Sequence, residues 1–343
     1  QRVQPLTVSN AANTSYAFTA QQFIFNVEDY MKVFGKGAIA ELSTQIEGNV
    51  AGLAETQPYR FYGDGFTQIN SVNQLASMLA LYKTYGYAHE NIKAYLSDIA
   101  VPQIVNTMLN QFVVDRNEEA AMSWMVGDWS GVSWYQSNLL PVHIAGNVGN
   151  NQQTLTVVST NDPTGANITQ ITFSGASDSD PLAILQYDNI QFNDNVSGYP
   201  NMRYLTFVGH LPSAAPVQFK ATASAASTSG GQVTVDIFPP LCSQVGNANQ
   251  NLSFNVVAGM QVSVLPSHRC GLIVGGDALY VAMPRLPDQP PFDTANTMDE
   301  ETGVSIRLTY GSIFGQNTMG FINDAIWGQT IPPEYCMKIV FPL

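Results

Sequence analysis

Gly127-Asp128-Trp129-Ser130-Gly131 runs into Ser137-Asn138-Leu139-Leu140-Pro141, and the chain changes character on either side of this stretch. Upstream the apolar residues repeat at helical steps. Ile39, Leu42, Ile46, Val50 and Leu53 recur every three or four residues and share one stripe, which Asp29 precedes and Pro58 stops. Gly35, Gly37, Gly48 and Gly52 weaken that helix, so packing must hold it, against its own core or a neighbouring molecule. Val72, Leu75, Leu79 and Tyr82 predict a second helix with Gly86 at its end. Ile104, Val105, Met108, Leu109 and Phe112 predict a third, with Pro102 in its first turn. Asn117-Glu118-Glu119 predicts a short fourth.

From Gly146 onward the period falls to two. Leu155/Val157, Ile171/Phe173, Leu205/Phe207, Phe219/Ala221, Val233/Val235/Ile237 and Phe254/Val256 alternate with polar residues. Asn161-Asp162-Pro163-Thr164-Gly165 and Ser229-Gly230-Gly231 are turn signals between them. Short strands so spaced predict a small barrel or sandwich, set as an insertion into a host fold. Val3 to Phe25 also has β character. Leu279 with Val281, then Val304 to Tyr310, then Tyr335 to Phe341 read as further strands, and Pro284 to Gly303 as a long surface loop.

Charged residues make up 11% of the 343, against about a quarter in ordinary soluble domains. Asn and Gln number 27 and 24. A surface of amides suits close packing against neighbours, because an amide is easier to dehydrate than an ion. The same neutrality would suit an extracellular adhesive or glycan-binding β-rich protein. Net charge is −13 and the 13 basic residues form no cluster, which argues against specific DNA binding. Cys242, Cys270 and Cys336 have no metal-like spacing and read as free thiols in a chain folded in a reducing cytoplasm. No apolar run reaches membrane-spanning length, so no membrane partner is expected.

The order of segments resembles tailed-bacteriophage major capsid proteins of the HK97-like fold, in the P22-like coat group with an inserted β domain. Tyr30 to Leu53 is similar to the family's spine helix, and Tyr59 to Gly65 to the link after it. Gly127, Gly131, Ser137, Asn138, Pro141, His143 and Gly146 resemble its glycine pair followed by Ser-Asn and Pro. Phe207-Val208 with Val233 to Pro240 resembles the end of the inserted barrel, and Ser267 to Leu279 the His-Arg-Asp-Ala-Leu segment, with Ser267 in place of the usual aromatic. The resemblance implies an α+β fold: residues 1–27 the returning part of an extended loop over a neighbour; 28–92 a long spine helix and peripheral domain with return strands about 304–325; 93–146 an axial domain with 264–303 and 326–343; and 147–263 the inserted all-β domain. It implies a non-enzymatic subunit that assembles in the host cytoplasm into the icosahedral shell of a virion. Its partners would be itself, in hexamers and pentamers, with scaffolding, portal and decoration proteins and non-specific proximity to packaged DNA. An encapsulin-like compartment shell is the alternative within the fold.

No catalytic, cofactor-binding or metal-binding residue is assigned. His143, between Val142 and Ile144, has no motif-placed acid or nucleophile beside it, and reads as structural. His268, with Arg269 adjacent and Asp277 nearby, reads as a hydrogen-bonding group at a strand end. Ser43, Ser130 and Ser305 lack a nucleophile motif. Asp178 and Asp180 fall short of a calcium loop and read as a turn. Trp124, Trp129 and Trp134, five apart, read as core anchors around a tight Gly127 to Gly131 turn rather than a sugar platform. A glycosidase would need two convergent carboxylates, and the sequence identifies no such pair.

Overall fold

The computed structural model describes residues 5–19, 36–84, 90–102, 104, 125–129, 131–206, 209–275, 277–288, 290, 292–298, 305–312 and 318–343. The expected third and fourth helices lie almost wholly outside these residues, as do Gly86, Trp124 and Phe207. Among the described residues strands dominate. The chain forms two compact units, Gln1–Leu53 with Leu279–Ile331, and Ala54–Ala278 with Pro332–Leu343.

The first unit is a five-stranded antiparallel sheet with one helix. Thr318–Thr330 is its long strand, flanked by Asn10–Thr19 on one side and by Ser305–Ser312, then Asp293–Met298, on the other. Tyr280–Ala282 pairs the far end of Thr318–Thr330. Asn10 to Thr19 pair residue by residue with Trp327 to Thr318 of the same chain. Of the segment Arg2 to Phe25, expected as the returning part of an extended loop, the described part is a ten-residue strand that satisfies its ladder on one edge within its own unit. Tyr16 stacks on Phe321 at 5.3 Å and Phe18 meets the same ring edge-on, so an aromatic cluster sets the register.

The helix of this unit is Lys36–Ala51, about 24 Å long by its rise per residue. A spine helix longer than this is not seen among the described residues. Its buried face is Ala38, Leu42 and Ile46, which pack toward Ala325 and Trp327. Ile39 is 46% exposed, so the predicted stripe was rotated by one residue at its start. A small alanine faces inward where the sheet lies close. Among the described residues a Cβ on Gly37 or Gly48 would meet nothing within 4 Å, so these glycines serve no close approach there. Asp293–Met298 overturns part of the expected Pro284 to Gly303 loop. Its sequence Asp-Thr-Ala-Asn-Thr-Met lacks apolar alternation because it is an edge strand with little to bury. It and Tyr280–Ala282 both pair within this sheet.

In the second unit a mixed seven-stranded sheet runs in the order Phe61–Tyr62, Cys336–Phe341, His268–Val274, Ile92–Ser97, Val132–Ser137, Met125–Trp129, with Val142–His143 paired to the start of His268–Val274. Helix Val72–Thr84 covers one face. Leu75, Met78, Leu79 and Tyr82 share a core with Ala94, Leu96, Trp134, Ile273, Met337, Ile339 and Phe341. Ser71 and Gln74 form a capping box at its start: Gln74 N–H donates to Ser71 Oγ at 3.3 Å, and Ser71 N–H to Gln74 Oε1 at 3.2 Å. Cys336–Phe341 is buried at all six positions, as a central strand covered on both faces must be. Gly127 sits inside a strand, and the turn is marked by Gly131, which takes φ +76°.

Arg203–Leu205 and Pro212–Pro216 pair as a separate two-stranded sheet, and six further strands of this unit close an antiparallel barrel: Gln218–Ala221, Gln232–Leu241, Ile168–Ser174, Leu155–Thr160, Gln261–Val264 and Asn189–Phe192. Every one pairs with barrel strands alone. Gln232–Leu241 shows why: inward and outward residues alternate along its length, and Val233, Val235 and Ile237 meet Phe173, Phe192 and Phe219 inside. Phe254 and Val256 form no strand. The closing strand is Gln261–Val264, whose Gln-Val-Ser-Val pattern is too short to stand out.

Candidate functional site

Asn150 clamps the two ends of the barrel together. Its Nδ2–H donates to Ala145 O at 2.8 Å, and its Oδ1 accepts from Ser267 N–H at 2.9 Å and Ser267 Oγ–H at 2.8 Å. Ala145 N–H donates back to Ser267 Oγ at 2.9 Å. A Cβ on Gly149 would lie 2.3 Å from Leu265 O, so only glycine lets these backbones touch. The chain therefore enters and leaves the barrel at one point of the sheet, beside the pair His143↔His268.

At this junction lies a belt of buried polar groups. His143 is 1% exposed. Its Nδ1 is 2.9 Å from Glu55 Oε1 and its Nε2 is 2.8 Å from Asp188 Oδ1. Ionised carboxylates only accept, so both ring nitrogens are called on to donate. Burial opposes a charge on His143, but the hydrogen bonds to Asp188 and Glu55 outweigh it and raise its pKa. The hydrogen bond from His143 holds Glu55 below the usual carboxylate range. Asp188 Oδ2 also accepts from Gly146 N–H at 3.1 Å and Leu185 N–H at 2.8 Å.

His268 packs against this group, its ring 5.2 Å from that of His143. Its Nδ1–H donates to Pro266 O at 2.7 Å. Burial, with the nearby Lys338 charge, pushes its pKa down to about 3, so it is neutral. Lys220 donates to Thr56 O and to Gln57 O, and burial lowers its pKa to about 8. Arg60 reaches Glu334 O and Cys336 O, while burial lifts the Cys336 thiol to about 12.

No motif places an acid beside His143, yet Glu55 and Asp188, 88 and 45 residues away, converge on it in the fold. No local spacing could announce contacts made by three different segments. The cluster is nonetheless unsuited to hydrolysis by a nucleophile. Both nitrogens of His143 already face carboxylates, leaving neither to take a proton from a hydroxyl or thiol. Asp277, near His268 in sequence, pairs instead with Lys93 at 3.4 Å on the surface. Asp180 Oδ1 accepts from Asn147 Nδ2–H at 2.9 Å and Leu182 N–H at 3.0 Å in a turn. Among the described residues no group of three or more His, Cys, Asp or Glu is arranged to hold a metal. Trp134 is completely buried, Trp129 lies on a strand, and Ser130 lies outside the described residues. Ser43 is half-buried on the first unit's helix and Ser305 begins a strand there. Cys242, Cys270 and Cys336 are buried and unpaired to one another.

No family model matches the sequence, and no curated protein does. Among solved structures the chain is similar to one named for Mycobacterium phage Che8, at 6% identity and TM-score 0.43, covering 97% of this chain and 71% of that one. It is also similar to the capsid structure of the Cyanophage P-SCSP1u, at 9% identity and TM-score 0.42, covering 98% and 73%. A third, from Gordonia phage Cozz, has 11% identity and TM-score 0.35, covering 97% and 70%. These likenesses are remote.

Proposed function

We propose that this chain is a structural shell subunit, a major capsid protein of a tailed phage, whose copies close an icosahedral particle around packaged DNA. The observation that carries the reading is the meeting of two distant sequence stretches. Ser137 to Gly146 and Ser267 to Leu279 bear the resemblance to coat proteins, and strand residues within them pair in one sheet, with His143 opposite His268. The barrel leaves that sheet and returns to it at the same point, the layout of a coat subunit carrying an insertion. Membership of the P22-like group belongs to the same proposal. So do hexamers and pentamers of the chain itself, and scaffolding, portal and decoration partners.

A non-enzymatic role fits the burial of His143 and Asp188, whose contacts tie the barrel to the sheet. Low charge and abundant Asn and Gln suit surfaces that pack against copies of themselves. Purified protein should be imaged by negative stain and sized by sedimentation, alone and with its native scaffolding factor. Uniform closed shells or capsomer rings are expected. A protein that stays monomeric in both preparations, and is absent from particles of its source, overturns the proposal.

A further inference from the structure

The second unit holds one lysine in an unusual setting. Lys338 lies at the middle of the central strand Cys336–Phe341, completely buried. Its neighbours Met337 and Ile339 face the helix-covered core, so by alternation Lys338 and Val340 face the other way. There its Nζ is 2.7 Å from Oδ1 of Asn189, itself completely buried at the start of barrel strand Asn189–Phe192. Among the described residues this is the one hydrogen bond of the Lys338 side chain. Lys220 shows the contrast, its ammonium held by two main-chain carbonyls and set over the rings of Tyr187 and Phe238. Asn189 Nδ2–H points toward Pro58 O and Tyr59 O, at 3.4 and 3.3 Å, which turns the amide oxygen to the lysine.

We propose that Lys338 and Asn189 join spontaneously in an isopeptide bond that covalently links the central strand of the sheet to the barrel. The reaction is amide exchange without redox change. The Lys338 ammonium gives a proton to a carboxylate, and the freed Nζ lone pair attacks Asn189 Cγ. The tetrahedral intermediate collapses as the Cγ–Nδ2 bond breaks, and the departing nitrogen takes back that proton and a second one from Nζ to leave as ammonium. Lysine ammonium plus asparagine amide become a secondary amide plus ammonium. Burial favours the neutral amine that must attack. Oδ1 lies about 1.2 Å from Cγ, so Nζ starts within about 4 Å of the carbon it attacks.

Glu55 is the carboxylate suited to relay the proton. Its Oε1 is engaged by His143, which leaves its Oε2 to take the proton. Its side chain is 28% exposed, which leaves it in touch with solvent, whereas both oxygens of Asp188 accept hydrogen bonds in the interior. The product would replace a buried cation by a neutral amide and close a ring across 149 residues of sequence separation. This inference stands on the interior of one chain and does not depend on the shell reading.

The test is the intact mass of the purified full chain under denaturing conditions, followed by digestion and fragmentation. The expected result is a mass lower than the sequence by one ammonia, with a branched peptide joining Lys338 to Asn189 and no tryptic cleavage after Lys338. Lys338→Met and Asn189→Leu should each restore that ammonia, and Glu55→Gln should leave most of the chain unlinked. A wild-type chain cleaved normally after Lys338 overturns the proposal, even if ammonia is lost elsewhere. Full linkage in the Glu55→Gln chain overturns the relay. The wild-type measurement decides the bond even where a variant fails to fold.

Discussion

His143 and His268 stand opposite each other on paired strands with their rings 5.2 Å apart, and their surroundings drive them to opposite charge states. His143 is held between two carboxylates that favour its proton, whereas His268 is buried beside cations that exclude one. The two imidazoles therefore act on stability in opposite directions as pH changes.

His268 takes up its proton near 6.5 in the unfolded chain and only at about 3 when folded. The unfolded state then binds more protons over that window, and stability falls as pH drops through it, by roughly 1.4 kcal/mol per pH unit at most. The raised pKa of His143 works the other way. Its contribution is full below 6.5 and is lost as pH rises through the folded value. Urea unfolding of His268→Gln between pH 6 and pH 4 should show a pH slope smaller than that of wild type by about one proton. An unchanged slope would place the acid sensitivity elsewhere.

Asp188→Ala removes the acceptor for His143 Nε2–H, Gly146 N–H and Leu185 N–H at once. Leaving a charged imidazole and two amides unsatisfied in the interior should cost about 3–5 kcal/mol. Chemical denaturation measures the loss. A nuclear magnetic resonance titration of Asp188→Asn should show the His143 pKa falling toward the ordinary range.

The face of helix Lys36–Ala51 can be read by truncation. Leu42 is completely buried, and Leu42→Ala should lower stability by about 2–5 kcal/mol. Ile39→Ala, at a half-exposed position, should change it by less than about 1 kcal/mol. Equal effects from the two would mean that Ile39 is covered by another molecule, so both should be measured on the dissociated chain.

Gly48 offers a test that separates fold from assembly. Open space surrounds its missing Cβ, and Gly48→Ala should stabilise the free chain by about 0.5–1 kcal/mol in thermal unfolding. Particle yield should drop in the same variant if the glycine exists for contact with a neighbouring subunit.

Local chemistry was legible wherever one segment carries its own signal. The alternation of Val233, Val235 and Ile237, the helical steps from Val72 to Tyr82, and the turns at Gly165 and Gly231 all appear where their periods place them. Less legible were strands with weak patterns. Asp293–Met298 and Gln261–Val264 exist because a partner strand supplies their hydrogen bonds, and a partner is not visible in four or six residues. The face of Lys36–Ala51 was misread by one residue because periodicity alone cannot tell a buried alanine from an exposed isoleucine.

The sequence by itself determined the β block, its turns and the two longer described helices, Lys36–Ala51 and Val72–Thr84, since period and backbone preference are properties of neighbouring residues. Tertiary structure alone decided that the block closes as a barrel. It also decided that the barrel begins and ends at one point, and that Glu55, His143, Asp188, Asn189 and Lys338 share a buried junction. Those residues come from four separated segments. What makes them matter is the absence of water around charges, and that absence arises only when distant parts of the chain enclose the same space.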